Sequence, residues 1–186
     1  DVGGGFPSRY ANSEPAPMED FMAAINTGVE ALPARENIRL MCEPGRSLVS
    51  EAESLIVHVD ARRGQNLFIN DGAYGTLFDA AHLGFVFPAR LVSPHVEADA
   101  PLGAFELWGP TCDSIDHMPG PFLLPDCISE GDYIEIGGVG AYGRALAGHF
   151  NGYGTYEEAI LMDEPQLSMY AADGRGSHDA VRHLRT

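Results

Sequence analysis

Over residues 17–32 the apolar side chains Met18, Phe21, Met22, Ile25, Val29 and Leu32 recur at three- and four-residue intervals, the spacing that gathers them on one face of an α-helix. Pro33 stops that helix. On either side the pattern shortens. Residues 2–6 read as a strand end entering a glycine turn. Ile38-Arg39-Leu40-Met41-Cys42 reads as a short strand, mostly apolar as in a parallel sheet covered on its outer face by helices. Strand end, helix and strand make one βα unit. Beyond Arg46 the rhythm changes. Leu55-Ile56-Val57-His58-Val59 and Leu67-Phe68-Ile69-Asn70 flank Arg62-Arg63-Gly64-Gln65, which predicts a hairpin. Further strands are expected at 89–92, 105–108, 133–136 and 159–162, separated by Gly, Pro and Asp clusters. Short strands at this density are an all-β pattern. The boundary falls near residue 50, giving units 1–50 and 51–186. No internal repeat is evident, and from residue 172 the chain is polar and reads as a frayed end.

Composition narrows the class. A chain of 186 residues holds one sizeable core, or a small domain with part of another. Its hydrophobic content of 45%, with 22 glycines and 13 prolines, describes a globular chain rich in turns. No apolar run approaches the roughly 20 residues of a membrane span. The opening Asp-Val-Gly-Gly-Gly lacks the basic head and apolar segment of a signal peptide, so a cytoplasmic chain is expected. Three scattered cysteines (Cys42, Cys112, Cys127) make neither a disulfide framework nor a zinc site, and the seven histidines show no metal-binding spacing. No metal is expected. The net charge of −16 argues against a nucleic-acid partner. It suits a solubilising surface first, and secondarily a site that attracts a cation.

Four segments carry candidate chemistry: Gly3-Gly4-Gly5-Phe6-Pro7, Glu43-Pro44-Gly45-Arg46, Trp108-Gly109-Pro110-Thr111-Cys112-Asp113-Ser114-Ile115-Asp116, and Gly140-Ala141-Tyr142-Gly143. Read singly, each has a bland explanation: a structural turn, a helix start with a surface ion pair, a buried cysteine, a core tyrosine. Read together, in this order, they resemble the alanine-racemase-like (fold type III) decarboxylases that use pyridoxal 5'-phosphate, specifically the ornithine and lysine decarboxylases. The resemblance covers roughly residues 1–165. It implies a mainly β chain: the C-terminal β-barrel or sandwich domain of such an enzyme, preceded by the last βα part of an incomplete TIM barrel, two strands of the eight that a complete barrel needs.

The resemblance also implies roles. Gly4 and Gly5 belong to the phosphate loop, where backbone N–H groups reach an anion without side-chain obstruction. Glu43 faces the pyridine nitrogen and keeps it protonated. Gly45, Arg46 and the Tyr142 hydroxyl contact the phosphate, the guanidinium being able to bond two oxygens at once. Cys112 directs reprotonation of the decarboxylated carbanion. Asp113 pairs with the distal ammonium of the substrate. Both are implied to lie at a dimer interface and to reach into the partner's site. Related diaminopimelate and arginine decarboxylases carry glutamate where Asp113 stands, and the shorter acid favours ornithine or lysine. Phe150 lies near the substrate's carbon chain. In Asn70-Asp71-Gly72-Ala73-Tyr74-Gly75 and the segment after it, Tyr74 is implied near the cofactor. Asp79 is a second candidate for the distal amine, with helix capping as its bland alternative.

One departure is decisive. All eleven basic side chains are arginine, and these enzymes hold their cofactor as a Schiff base to a lysine. The chain is therefore expected to be the C-terminal portion of a decarboxylase, inactive alone, associating as a homodimer or with a lysine-bearing barrel half. Two other readings stand beside it: an inactive regulatory homologue, and a module that only mediates dimerisation.

Overall fold

Alternation of side chains builds the sheet. In β1 (Leu55–Arg63) Val57 and Val59 are buried while Ile56 and Asp60 face outward, and β2 (Asn66–Ile69) buries Leu67 and Ile69. The predicted hairpin joins them, with Gly64 at φ +63° in the turn. β3 (Ala89–Val92), β4 (Leu102–Trp108), β5 (His117–Pro125) and β6 (Tyr133–Ile136) complete one sheet in the order β3-β6-β1-β2-β4-β5. All neighbours are antiparallel except β2 and β4. The structure is a computed structural model and describes residues 1–33, 35–93 and 100–161.

The sheet curls into part of a barrel, so that its edge strands β3 and β5 come against each other. A register shift between Val59 and Ala61 puts a bulge in β1, the usual means of bending a strand. Inside the curl lie Phe87, Phe105, Leu107, Met118, Phe122 and Ile134, each 2% exposed or less. Burying a side chain of this size stabilises the fold by about 1.5–3 kcal/mol.

Four segments differ from the pattern reading. The sequence gives no sign of β5, because Pro119, Gly120 and Pro121 interrupt it. Yet β5 pairs only with β4, and an edge strand needs no N–H on its open side. Residues 38–42 form no regular strand, nor do residues 2–6. They run alongside each other through two bonds only, Val2 N–H to the Met41 carbonyl (2.9 Å) and Glu43 N–H to the Gly3 carbonyl (2.8 Å). A pair of segments without further strands beside it lacks the support of a sheet. Residues 159–161 are likewise not a strand, while residue 162 and the tail from 172 lie outside the described residues.

The predicted helix is present as α1 (Met18–Glu30), with Glu19 and Asp20 favourably placed in its first turn. None of its residues is buried. Phe21 meets Phe6 at 6.5 Å, but Met18 and Met22 stay more than a third exposed. Three one-turn helices position the site: α2 (Arg46–Val49), α3 (Phe78–His82) and α4 (Gly143–Leu146). Among the described residues no helix is long and apolar enough to cross a membrane.

Candidate functional site

Close packing of glycines brings together residues far apart in the chain. Gly3 and Gly5 have φ of +74° and +82°, open to glycine at little cost. A Cβ on Gly4 would sit 2.8 Å from the Glu43 carbonyl oxygen, so the glycine turn lies directly on the Glu43-Pro44-Gly45-Arg46 segment. The Tyr142 turn reaches the same place from the other end of the chain. Val139 and Gly140 donate to the carbonyls of Glu53 and Ser50, and a Cβ on Gly140 would meet the Val49 carbonyl oxygen at 2.0 Å. This contact sets Tyr142 over the Arg46 guanidinium, 4.9 Å from the ring centroid. The Tyr142 hydroxyl lies 3.8 Å from where a Gly45 Cβ would be.

Tyr142 itself has φ +65°. Strained left-handed residues without glycine's freedom cluster at functional sites. Only Asn151, at φ +56°, shares the feature among the described residues.

Arg46 lies deep in this group. It donates to Asp79 Oδ2 (2.7 Å) and to the Tyr10 hydroxyl (2.6 Å). Its guanidinium also lies 4.9 Å from the Phe85 ring. Burial works against its charge, but the bonds to Asp79 and Tyr10 prevail and its pKa is raised. Burial likewise pushes the Tyr10 hydroxyl up. The carboxylate of Asp79, expected beside the substrate's distal amine, is thus engaged with Arg46. Tyr10 carries no local sequence signal; only the fold brings it here.

A second group surrounds Cys112 and Asp113. Tyr74 donates from its hydroxyl to Asp113 Oδ2 (2.6 Å), and Ile115 N–H to Oδ1 (3.1 Å). The bond to Tyr74 is the main reason the Asp113 carboxyl is held below its ordinary value. The same bond pushes Tyr74 up to about 12. Phe150 stacks on Tyr74 at 4.4 Å, and Asn151 donates to the exposed Cys112 thiol at 3.7 Å. Tyr74, expected near the cofactor, is therefore placed on the Asp113 carboxylate.

Two buried carboxylates shape the loops beneath. Asp116 is 1% exposed; it accepts from Ala73 N–H, Thr111 N–H and the Thr111 hydroxyl. Asp71 accepts from Gly72 N–H and from Thr76 through both N–H and hydroxyl. Burial raises the Asp71 pKa in spite of these bonds. Their oxygens fill the space where side chains would stand: a Cβ on Gly72 or Gly109 would lie 2.0 or 2.1 Å from Asp116, and one on Gly75 1.6 Å from Asp71. The density of glycine and acid in these segments was the available signal for both residues.

The curled β unit thus carries a glycine-turn cradle beside an aromatic-boxed arginine, an arrangement with room and charge for an anion. Two family profiles match the chain: "Pyridoxal-dependent decarboxylase, pyridoxal binding domain" over residues 1–50, and "Pyridoxal-dependent decarboxylase, C-terminal sheet domain" over residues 46–140. The chain belongs to the pyridoxal-dependent decarboxylase family, of fold type III. It is 30% identical to antizyme inhibitor 2 of Xenopus laevis, a match covering 82% of this chain and 36% of that protein. It is 32% identical to ornithine decarboxylase 2 of Drosophila melanogaster, over 84% of this chain and 41% of that one. The chain thus spans about two fifths of these relatives' length. Among solved structures it resembles the lysine/ornithine decarboxylase of Vibrio vulnificus complexed with cadaverine, with TM-score 0.66 and 30% identity over 82% of this chain and 40% of that one.

Pyridoxal phosphate is the cofactor of this family, and the residues present fit it. The cradle has backbone at Gly5 with nothing within 4 Å of a Cβ position, leaving room for an anion. It also has a cation in Arg46 and a half-exposed hydroxyl in Tyr142.

Proposed function

We propose that this chain is the C-terminal portion of a decarboxylase acting on a diamino acid, ornithine or lysine, to release a diamine. The observation that supports it best is the convergence of Gly3 to Gly5, Glu43, Gly45, Arg46 and Tyr142 on one cradle from both ends of the chain. Pyridoxal phosphate, when bound, supplies the electron sink that decarboxylation requires. The chain's own residues do the rest. Gly4, Gly5 and Gly45 offer backbone N–H groups to the phosphate, Arg46 its charge and Tyr142 its hydroxyl. Glu43 holds a proton at the pyridine nitrogen. Asp113, whose carboxylate form is further favoured by its bond from Tyr74, binds the distal ammonium, which otherwise loses hydration uncompensated. Cys112 delivers a proton to the carbon that lost the carboxylate, and Phe150 packs on the substrate's methylenes. In this reading Cys112 and Asp113 serve a two-fold partner's cradle, so the working unit is a homodimer completed by a lysine-bearing barrel half.

A second reading is a regulatory homologue without activity. It is favoured by the similarity to antizyme inhibitor 2. One experiment separates the two. The full-length protein containing this chain is purified, its cofactor absorbance recorded, and carbon dioxide release measured with ornithine and lysine. Uptake of pyridoxal phosphate with turnover of either substrate supports the decarboxylase; a folded protein without turnover supports the regulator. Borohydride treatment of the isolated chain with pyridoxal phosphate leaves no pyridoxyl group on a lysine side chain. Turnover by the isolated chain, free of any other polypeptide, would overturn the proposal that a second part supplies the Schiff-base lysine.

A further inference from the structure

Asn151 is held in the left-handed region, with φ +56° and ψ +18°, and no role assigned above uses it. Its side-chain amide donates to the Cys112 Sγ at 3.7 Å. We propose that Asn151 is a positioning residue for proton delivery: its amide N–H holds the Cys112 sulfur and stabilises the thiolate left behind when the proton departs. The inference deepens the reading of Cys112 given above and rests on it.

Three observations carry it. The first is a pairing of neighbours. Phe150 stacks on Tyr74 at 4.4 Å, and Tyr74 in turn donates to Asp113, while Asn151 meets Cys112. Residues 150 and 151 thus buttress both members of the Cys112-Asp113 pair. The second is that each side of the contact is fixed. Gly148 N–H bonds the Tyr74 carbonyl (2.8 Å), Gly152 N–H the His149 carbonyl (3.1 Å) and Tyr153 N–H the Phe150 carbonyl (3.2 Å), so a tight turn presents the amide. Opposite it, Thr111 is tied to the buried Asp116 through both N–H and hydroxyl, and Asp113 N–H donates to the Thr111 hydroxyl (3.4 Å). The backbone is therefore held on both sides of Cys112. The third is chemical. Asp113 and Asp116 share the loop with the thiol, but an ionised carboxylate only accepts hydrogen bonds, whereas an amide donates. When Cys112 gives its proton to the carbon that lost the carboxylate, the electron pair on that carbon forms the new C–H bond. The S–H pair stays on sulfur as a thiolate, and water later returns the proton. A donor aimed at sulfur beforehand meets that charge without rearrangement.

Asparagine also tolerates the left-handed backbone better than most residues, so the test must separate the amide from the backbone. Asn151→Gly accepts the same backbone at little cost and has no side chain to donate. Asn151→Asp keeps the shape and the backbone tolerance but, when ionised, only accepts. The probe is iodoacetamide, applied to the cofactor-free full-length protein containing this chain from about pH 6 to about pH 9, because alkylation requires the thiolate. Labelling of Cys112 is followed by peptide mass spectrometry, with Cys42 and Cys127 as internal controls. Asn151→Gly is expected to slow Cys112 labelling at neutral pH about threefold, and Asn151→Asp about tenfold. Both profiles move to higher pH while the two control cysteines label as in the wild type. In turnover of ornithine or lysine, kcat should fall in the same order with KM little changed. Should Asn151→Gly fail to fold, Asn151→Asp decides. Wild-type labelling of Cys112 in the deciding variant overturns the inference and leaves Asn151 a backbone residue. Slower labelling in Asn151→Gly than in Asn151→Asp also overturns it, since shape and not donation is then what matters. Labelling needs neither cofactor nor substrate. A protein that labels as expected but turns over neither diamino acid therefore defeats the proposed function, and the proton-delivery role with it, while the contact between Asn151 and Cys112 stands.

Discussion

A single hydroxyl shifts the titration of the carboxylate proposed to meet the substrate's distal ammonium. Tyr74 donates to Asp113 at 2.6 Å, and that bond lies first among the causes that lower the Asp113 pKa. Asp113 therefore titrates below the ordinary aspartate value. Tyr74→Phe should move the Asp113 carboxyl resonance to titrate at higher pH, visible by carbon-13 NMR. Replacing Asp113 by Asn keeps the shape without the charge, and in the full-length enzyme kcat/KM for ornithine and lysine should fall about tenfold or more. Unchanged diamine selectivity would remove the main chemical support for a diamino-acid substrate. Asp71 behaves oppositely. Burial raises its pKa, so the folded state favours the protonated carboxyl. Its contribution to stability is fullest below the ordinary aspartate pKa of about 3.9 and declines as pH rises through the raised folded value. Urea unfolding from pH 3.5 to 7 should show the wild type losing stability relative to Asp71→Asn as pH increases.

At the scale of elements, the site depends on one junction. The turn carrying Tyr142 rests on the end of α2 through Gly140 N–H to the Ser50 carbonyl (2.9 Å), a contact that a Cβ would push apart at 2.0 Å. Gly140→Ala must therefore displace Tyr142 from Arg46. Its expected effect is a loss of pyridoxal phosphate affinity of about tenfold or more, since misplacement by about 1 Å can cost a hundredfold. Far-UV circular dichroism should stay near wild type, because the six strands pack without this turn. The edge strand β5 shows the same interplay of glycine and backbone. Gly120 has φ +67°, and a Cβ there would lie 2.6 Å from Phe122 N and 2.8 Å from the Phe105 carbonyl oxygen. Three residues of β5, Pro119 to Pro121, pass a single residue of β4, Glu106, at this point.

At the scale of the whole molecule, the sheet unit has a sealed core and the first fifty residues have almost none. Phe105 and Phe122 are sealed inside the curl, whereas Met18, Met22, Ile38, Leu40 and Met41 are each more than a third exposed. Apolar area of this kind marks a surface for association; on the proposed reading its covering is the rest of a barrel. The isolated chain should accordingly bind the dye ANS and self-associate. The double variant Met22→Glu, Met41→Glu should reduce both, measured by fluorescence and light scattering. If the charges change neither, the exposed apolar surface responsible lies elsewhere.

The sequence by itself determined the periodic elements and the local motifs. Helix α1, the β1–β2 hairpin and the inward residues of β4 and β6 follow from side-chain periods of 3.6 and 2, which burial enforces wherever one face is covered. The cradle segments stood out only when read together, through their resemblance to a known family; singly, each has a bland explanation. The tertiary structure alone decided what depends on neighbours distant in the chain. It made a strand of the proline-rich β5, because an edge accepts what a central strand rejects. It denied regular strands to residues 2–6 and 38–42, because two short segments joined by two bonds have no further strands beside them to support a sheet. It also placed Asp79 and Tyr10 on Arg46, 33 and 36 residues away, and Tyr74 on Asp113, 39 residues away. No local pattern encodes such pairs; they exist because a buried charge must be met, and the packed sheet decides by whom.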